Sequence, residues 1–138
     1  MQIHVEVTQV GASAAEAGTR GHRVFVDRPA EKGGADQGMM GGEYLLVALG
    51  GCFVSNLLAA ARARDADVRD VRVTVTGGFD GTPVRLARAD VRVRARTSDA
   101  ELLEKLVLMS DRACIVANTL RDTVELSFHA VAESTEAA

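Results

Sequence analysis

The two cysteines of this 138-residue chain are the side chains best suited to chemistry. Cys52 lies inside the longest apolar run of the sequence, and Cys114 follows 62 residues later, near a predicted helix start. An ordinary thiol has a pKa near 8.5, so only about 3% of it is thiolate at pH 7. Nucleophilic chemistry at either cysteine therefore requires a cation or a helix N-terminus close to the sulfur.

The residue pattern alone leaves the roles of both cysteines open. Cys52 is surrounded by Leu and Ala in a predicted buried helix, which favours a core residue over a nucleophile. Cys114 lies two residues after an arginine and near a helix start, and both features favour a thiolate. On the same grounds Glu43 stabilises the first turn of a helix, and Arg20 and Arg23 are surface charges.

Other catalytic patterns are absent from the sequence. The three histidines, His4, His22 and His129, lie in predicted strands, and none is close in sequence to a cysteine. No CxxC pair or paired-histidine spacing occurs, so we predict neither a metal site nor a cofactor. The chain also contains no GxGxxG, P-loop or GxSxG motif.

Length and composition predict a single domain over residues 1–138. Apolar residues make up 47% of the chain and charged residues 25%, and the net charge is −3. The arginines are interleaved with acidic residues and only 4% of residues are aromatic, so we expect no nucleic-acid partner. The N-terminal segment has no signal-peptide pattern, and the apolar run around Cys52 is interrupted by Gly50 and Gly51. We therefore expect a cytoplasmic protein whose apolar run is too short to cross a membrane.

The hydrophobic periodicity predicts an α+β domain with a mostly antiparallel sheet. Its central helix is apolar on nearly every side, so we expect it to be buried on all faces and the chain to form a homodimer. A capping box at Ser98 and Glu101 predicts the start of a second helix. The predicted order of elements is β-β-α-β-β-α-α-β, with strands near residues 3–8, 22–27, 71–76, 86–96 and 124–130. The predicted helices lie near residues 43–64, 98–109 and 111–120, and the last of them carries Cys114. We expect residues 133–138 to form a frayed tail.

Three features together resemble the OsmC/Ohr family, the osmotically inducible protein C and organic hydroperoxide resistance proteins. These features are the segment GEYLLVALGGC (residues 42–52), the second cysteine in RACIV (residues 112–116), and the element order. The resemblance covers the chain from Gly21 onward, and GHRVFVD (residues 21–27) is similar to a less characterised branch. It implies an intertwined homodimer that reduces alkyl or lipid hydroperoxides with two cysteines and no metal or prosthetic group. The implied reductant is a dithiol such as a dihydrolipoyl group.

The resemblance also implies roles for particular residues. Cys52 would be the peroxidatic thiolate, which is oxidised to a sulfenic acid, and Cys114 would resolve that acid as a disulfide. An arginine would hold the thiolate and Glu43 would hold the arginine, for which the candidates are Arg20 and Arg23. The apolar wall facing the substrate would comprise Met39, Met40, Leu49 and Phe53.

Three positions depart from the pattern of the peroxidase branches. Glu43 precedes Cys52 by nine residues instead of ten, which on one continuous helix corresponds to about 180° between the two side chains. Gly42 and Ile115 occupy positions where those branches often have proline. The glutamate spacing favours an alternative function, an OsmC-fold protein that binds a small apolar or thiol-reactive ligand without peroxidase turnover.

Overall fold

The computed structural model describes residues 1–135 and confirms the α+β class. Of the tail predicted over 133–138, residues 136–138 lie outside the described residues. The elements are β1 (Glu6–Gln9), β2 (Ala15–Thr19), β3 (His22–Val26), a 3₁₀ turn (Ala30–Lys32), α1 (Gly41–Ala63), β4 (Arg69–Asp80), β5 (Arg85–Arg96), α2 (Ala100–Ala113), α3 (Ile115–Leu120) and β6 (Glu125–Glu133). They fall into two compact units, Met1–Leu45 and Leu46–Ala138.

The first unit contains an antiparallel sheet in the order β1-β2-β3. Strand β2 was not predicted, because its sequence AEAGT consists mainly of residues that are uncommon in strands. Pairing on both sides stabilises it instead. A two-residue turn at Arg20 and Gly21 connects β2 to β3, with φ of 53° and 83°. Positive φ at both positions is characteristic of a type I′ hairpin turn.

A buried carboxylate organises the loop between β3 and α1. Asp27 is 3% exposed, and its oxygens accept the backbone N–H groups of Arg28, Ala35 and Gln37 at 2.7–3.2 Å. Burial raises the pKa of Asp27, but hydrogen bonds from the Ser13 side chain and these N–H groups outweigh it and hold the pKa below its ordinary value of 3.8. The loop therefore has a defined path despite its glycines.

The second unit is built on a sheet in the order β4-β5-β6. The β4–β5 hairpin is antiparallel, as predicted, whereas β6 pairs with β5 in parallel, with Val91 opposite Phe128. The parallel arrangement follows from the two helices that separate β5 from β6, since parallel neighbours need a long crossover. The inner face of this sheet carries the valines and alanines of the core.

Helix α1 packs one face against this sheet. Leu49, Phe53 and Leu57 recur every four residues and are fully buried, and the Phe53 ring stacks on Phe128 at 5.3 Å between centroids. On the opposite face Val47 and Leu58 are 49% and 42% exposed. The prediction of a helix buried on all faces is therefore wrong for the single chain, because the domain covers only one side of it.

The length of α1 also corrects the sequence-based argument about membranes. With 23 residues and a mean hydropathy of 1.9 over its most apolar window, α1 is long and apolar enough to cross a membrane. The expectation that the run is too short is therefore wrong. Its buried stripe packs on the sheet of its own domain, which is the arrangement of a core helix.

The N-cap of helix α2 lies one residue later than predicted. Asp99, rather than Ser98, is the N-cap, and its side chain accepts the N–H of Leu102 at 3.0 Å. An extended Asp99 backbone places the carboxylate over the first turn, which is the geometry a cap requires. Leu103 and Leu106 bury the inner face of α2, which packs on β6.

Candidate functional site: a cysteine pair

Cys52 lies near the middle of α1 and is half-buried. The amide of Asn56, one helical turn further along, donates to the Cys52 carbonyl at 3.0 Å and lies 3.8 Å from its sulfur. Cys52 is therefore partly exposed, and its sulfur has a polar neighbour within an otherwise largely apolar helix.

Cys114 forms the junction between α2 and α3. The structure corrects the prediction of one helix over 111–120, because Cys114 has an extended backbone (φ −73°, ψ 113°) that ends α2 and caps α3. Its sulfur accepts the N–H of Ala117 at 3.4 Å, and the residue is fully buried. An ion pair between Arg121 and Asp111 at 2.7 Å holds the two helices at this junction.

The fold brings the two cysteines together. The Cys114 thiol is a hydrogen-bond partner of the Cys52 sulfur, and the backbone N–H groups of Val116 and Ile115 are within hydrogen-bonding reach of the same sulfur. Both cysteines are free thiols in this structure. The first turn of α3 thus faces Cys52 with backbone donors.

These contacts separate the acidities of the two thiols. Partial burial raises the pKa of Cys52, but the Val116 N–H, the Cys114 thiol, the Ile115 N–H and the Asn56 amide together lower it below its ordinary value. Burial, joined by the proximity of Cys52, raises the pKa of Cys114. The expectation that Cys114 favours a thiolate is therefore wrong, since its position inside the core outweighs the nearby helix start. Cys52 is the better nucleophile of the two.

Glu43 has a local role in the first unit. Its Oε1 accepts the N–H of Met40 at 2.9 Å, which fixes the start of α1 in the way expected of an acidic first-turn residue. Next to it, Tyr44 donates its hydroxyl to the carbonyl of Phe25 at 2.6 Å. The carboxylate thus has a structural function independent of any arginine.

The two candidate arginines differ in their surroundings. The Arg23 guanidinium pairs with Glu16 at 3.4 Å on the adjacent strand. Arg20 occupies the first position of the β2–β3 turn, and no carboxylate of residues 1–135 lies within ion-pair distance of it.

The four predicted wall residues fall into two groups. Leu49 and Phe53 are fully buried in the core of the second unit, so this packing leaves no surface of theirs for a substrate. Their positions on α1 direct them toward the sheet. Met39 is 43% exposed in the loop before α1, where its carbonyl accepts the Asp27 N–H at 3.2 Å, and Met40 is half-buried.

Sequence reasoning missed the donors that surround the Cys52 sulfur. Backbone N–H groups have no side-chain signature, so Ile115 and Val116 could be recognised only from the fold. Asn56 did have a signal, because a carboxamide four residues after a helical cysteine lies on the same face as the thiol. Its significance was not recognised in the sequence.

Comparison with known proteins agrees with this fold. The family model described as OsmC-like protein matches residues 33–129, more than half of the chain. The chain belongs to the OsmC-like family. Comparison with curated proteins finds no significant match.

Solved structures show the same architecture at low sequence identity. A hypothetical protein from Aquifex aeolicus superposes with a TM-score of 0.86 at 16% identity, covering 99% of both chains. An OsmC-like protein from Mycoplasma pneumoniae has a TM-score of 0.84 at 16% identity, with 96% of this chain and 97% of that chain covered. An organic hydroperoxide resistance protein from Elizabethkingia anophelis has a TM-score of 0.77 at 16% identity over 96% and 97% of the two chains. At this identity the similarities establish the fold.

Proposed function

We propose that this protein is a cysteine-dependent peroxidase that reduces organic hydroperoxides. The observation that carries the proposal is the contact between half-buried Cys52, whose pKa is lowered, and the fully buried Cys114 thiol, whose pKa is raised. A peroxidatic cysteine needs thiolate character and access, whereas a resolving cysteine has to be held nearby until it is needed. The proposal is also supported by the structural similarity to the E. anophelis protein, which is an organic hydroperoxide resistance protein.

In the first step the Cys52 thiolate attacks the terminal oxygen of the hydroperoxide. An S–O bond forms and the O–O bond breaks, so Cys52 becomes a sulfenic acid and the alkoxide leaves, taking a proton from solvent to give the alcohol. The thiolate loses its charge in this step. Because the charge of Cys52 is one cause of the raised pKa of Cys114, its loss makes Cys114 easier to deprotonate.

In the second step Cys114 attacks the sulfur of the sulfenic acid. An S–S bond forms and the S–O bond breaks, and hydroxide leaves as water with the proton from Cys114. A dithiol, for which we propose a lipoyl-type compound of the cytoplasm, then returns both cysteines to thiols by exchange. Two electrons pass from the dithiol to the hydroperoxide in each cycle, and no metal or prosthetic group takes part.

Arg20 is the stronger candidate for an additional cation. No carboxylate of residues 1–135 lies within ion-pair distance of the Arg20 guanidinium, so its charge is available to an anion. Arg23, in contrast, is already paired with Glu16. We therefore include Arg20 in the proposal, with Met39 and Met40 as apolar contacts of the substrate. Glu43 is the proposed partner of Arg20, and this pairing requires its carboxylate to turn away from the Met40 N–H that it accepts in this structure.

We also propose that the protein forms a homodimer. Val47 and Leu58 expose an apolar face of α1, and Val7 and Val24 expose apolar positions of the first sheet. Exposed apolar faces are typical of protein interfaces. Light scattering at micromolar concentration is expected to give twice the mass of the chain, and Leu58→Glu is expected to give the monomer mass. The matched control is Leu108→Glu, at an exposed position of α2. A monomeric parent protein would contradict the proposal.

The peroxidase proposal is tested by turnover of cumene hydroperoxide with reduced lipoamide. We expect the parent to turn over and Cys52→Ser to be inactive. Cys114→Ser should complete the first step only, leaving a sulfenic acid that dimedone traps. Turnover unchanged in Cys52→Ser, or absent in the parent, would refute the proposal. If one equivalent of hydroperoxide also produced no Cys52–Cys114 disulfide, the ligand-binding alternative would be favoured.

A further inference from the structure

Asn56 is the one carboxamide in α1, a helix composed otherwise almost entirely of apolar residues. Asparagine is a poor helix former, and a half-buried amide in an apolar helix needs partners to offset its desolvation. Its Nδ2 lies 3.0 Å from the Cys52 carbonyl oxygen and 3.8 Å from the Cys52 sulfur. Both contacts are made to the residue that carries the proposed chemistry.

The donor capacity of the amide matches this pair of contacts. An asparagine NH₂ group has two hydrogens, so one can serve the carbonyl and the other the sulfur. Residues four apart lie on the same face of a helix, which keeps the amide beside the sulfur throughout the reaction. The backbone donors from Val116 and Ile115 belong to the α2–α3 junction, so Asn56 is the contributor from the helix of Cys52 itself.

We propose that Asn56 is a catalytic residue that donates a hydrogen bond to the Cys52 thiolate and orients it for attack on the peroxide. Its catalytic role rests on the proposed peroxidase function, whereas its contact with the thiolate does not. The lowered pKa of Cys52, to which the Asn56 amide contributes, supports this assignment. A purely structural asparagine would serve only the carbonyl one turn before it.

The thiolate contact is tested by alkylation with iodoacetamide as a function of pH in a Cys114→Ser background, where only Cys52 reacts. We expect Asn56→Ala to react about tenfold more slowly than the background protein at a pH below the pKa of Cys52, since a tenfold smaller thiolate fraction corresponds to loss of one modest hydrogen bond. Asn56→Asp should be slower still, because its carboxylate repels the thiolate. Ser55→Ala, an exposed neighbour on the same helix, is the matched control and should keep the parent profile.

The outcomes separate this inference from the peroxidase proposal. Alkylation profiles of Asn56→Ala and Asn56→Asp that coincide with the background profile would overturn the inference, whatever the peroxidase assay shows. A parent protein without turnover whose alkylation still depends on Asn56 would refute the peroxidase function and keep the thiolate contact. If Asn56→Ala does not fold, judged by circular dichroism, Asn56→Leu removes the same donor at nearly constant volume. Turnover of hydroperoxide lowered in parallel with alkylation would confirm both.

Discussion

Replacing Ile115 with proline removes one hydrogen-bond donor from the Cys52 sulfur with little other change. Proline lacks a backbone N–H, and Ile115 is the first residue of α3, the helical position at which proline is best tolerated. The preceding Cys114 already has the extended backbone that a following proline requires. The Ile115 side chain is 65% exposed, so its loss costs little packing.

The expected effect follows from the energy of one hydrogen bond to an ionised group. Such bonds contribute about 1.5–3 kcal/mol, and sulfur as the acceptor argues for the lower end. The pKa of Cys52 should therefore rise in Ile115→Pro, since one of the groups that lowers it has been removed. A change near 1.4 kcal/mol is tenfold in the thiolate population, so alkylation and the first peroxidase step should both slow about tenfold at pH below the pKa.

The assay is the rate of iodoacetamide alkylation of Cys52 across pH, with kcat/KM for cumene hydroperoxide measured alongside. Ile115→Ala is the matched control, because it removes the side chain and keeps the N–H. The reasoning is refuted if Ile115→Pro folds and has the same pH profile as Ile115→Ala.

Three further predictions concern local energetics and are tested by urea unfolding. Gly50→Ala should destabilise by about 1 kcal/mol, because its Cβ would lie 2.9 Å from a β4 valine methyl and overpacking outweighs the gain in helix propensity. A Cβ added at Gly51 would have no atom within 4 Å in the protomer, so Gly51→Ala should be more stable than Gly50→Ala. Equal urea midpoints for the two variants would contradict the close packing of Gly50 on β4. Asp99→Ala should lower the free energy of unfolding by about 1 kcal/mol because it removes the cap of α2, whereas Ser98→Ala should not. A larger loss of stability in Ser98→Ala than in Asp99→Ala would show that Ser98 is the cap. The Asp27 carboxylate has a lowered pKa, so the stability that it contributes is complete above pH 3.8 and is lost as the pH falls through the lowered value. The free energy of unfolding of Asp27→Asn should therefore fall less than that of the parent over this pH range. Parallel plots of the unfolding free energy against pH for the two proteins would contradict this.

Local signals were sufficient for most of the fold. The central helix was predicted over residues 43–64 and found at Gly41–Ala63, and the β4–β5 hairpin follows the predicted alternation of valine and polar residues. Strand β2 and the parallel pairing of β6 were not predicted. Both depend on contacts with distant strands, which propensity over a few residues does not encode.

The candidate site, too, was only partly predictable from the sequence. The family resemblance predicted that Cys52 and Cys114 act as a pair, and in the structure the Cys114 thiol is a hydrogen-bond partner of the Cys52 sulfur. The family resemblance could not show that Leu49 and Phe53 point into the core, because the orientation of an almost wholly apolar helix is set by what packs against it.

The sequence by itself determined the α+β class, the long apolar helix around Cys52 and the family to which the two-cysteine pattern belongs, because these depend on periodicity and motif spacing. Only the tertiary structure decided which thiol is more acidic. The pKa of Cys52 depends on N–H groups of Val116 and Ile115, more than 60 residues away along the chain, and that of Cys114 on its burial. Hydrogen bonding and desolvation act through space, so the chemistry of each sulfur is a property of the folded chain.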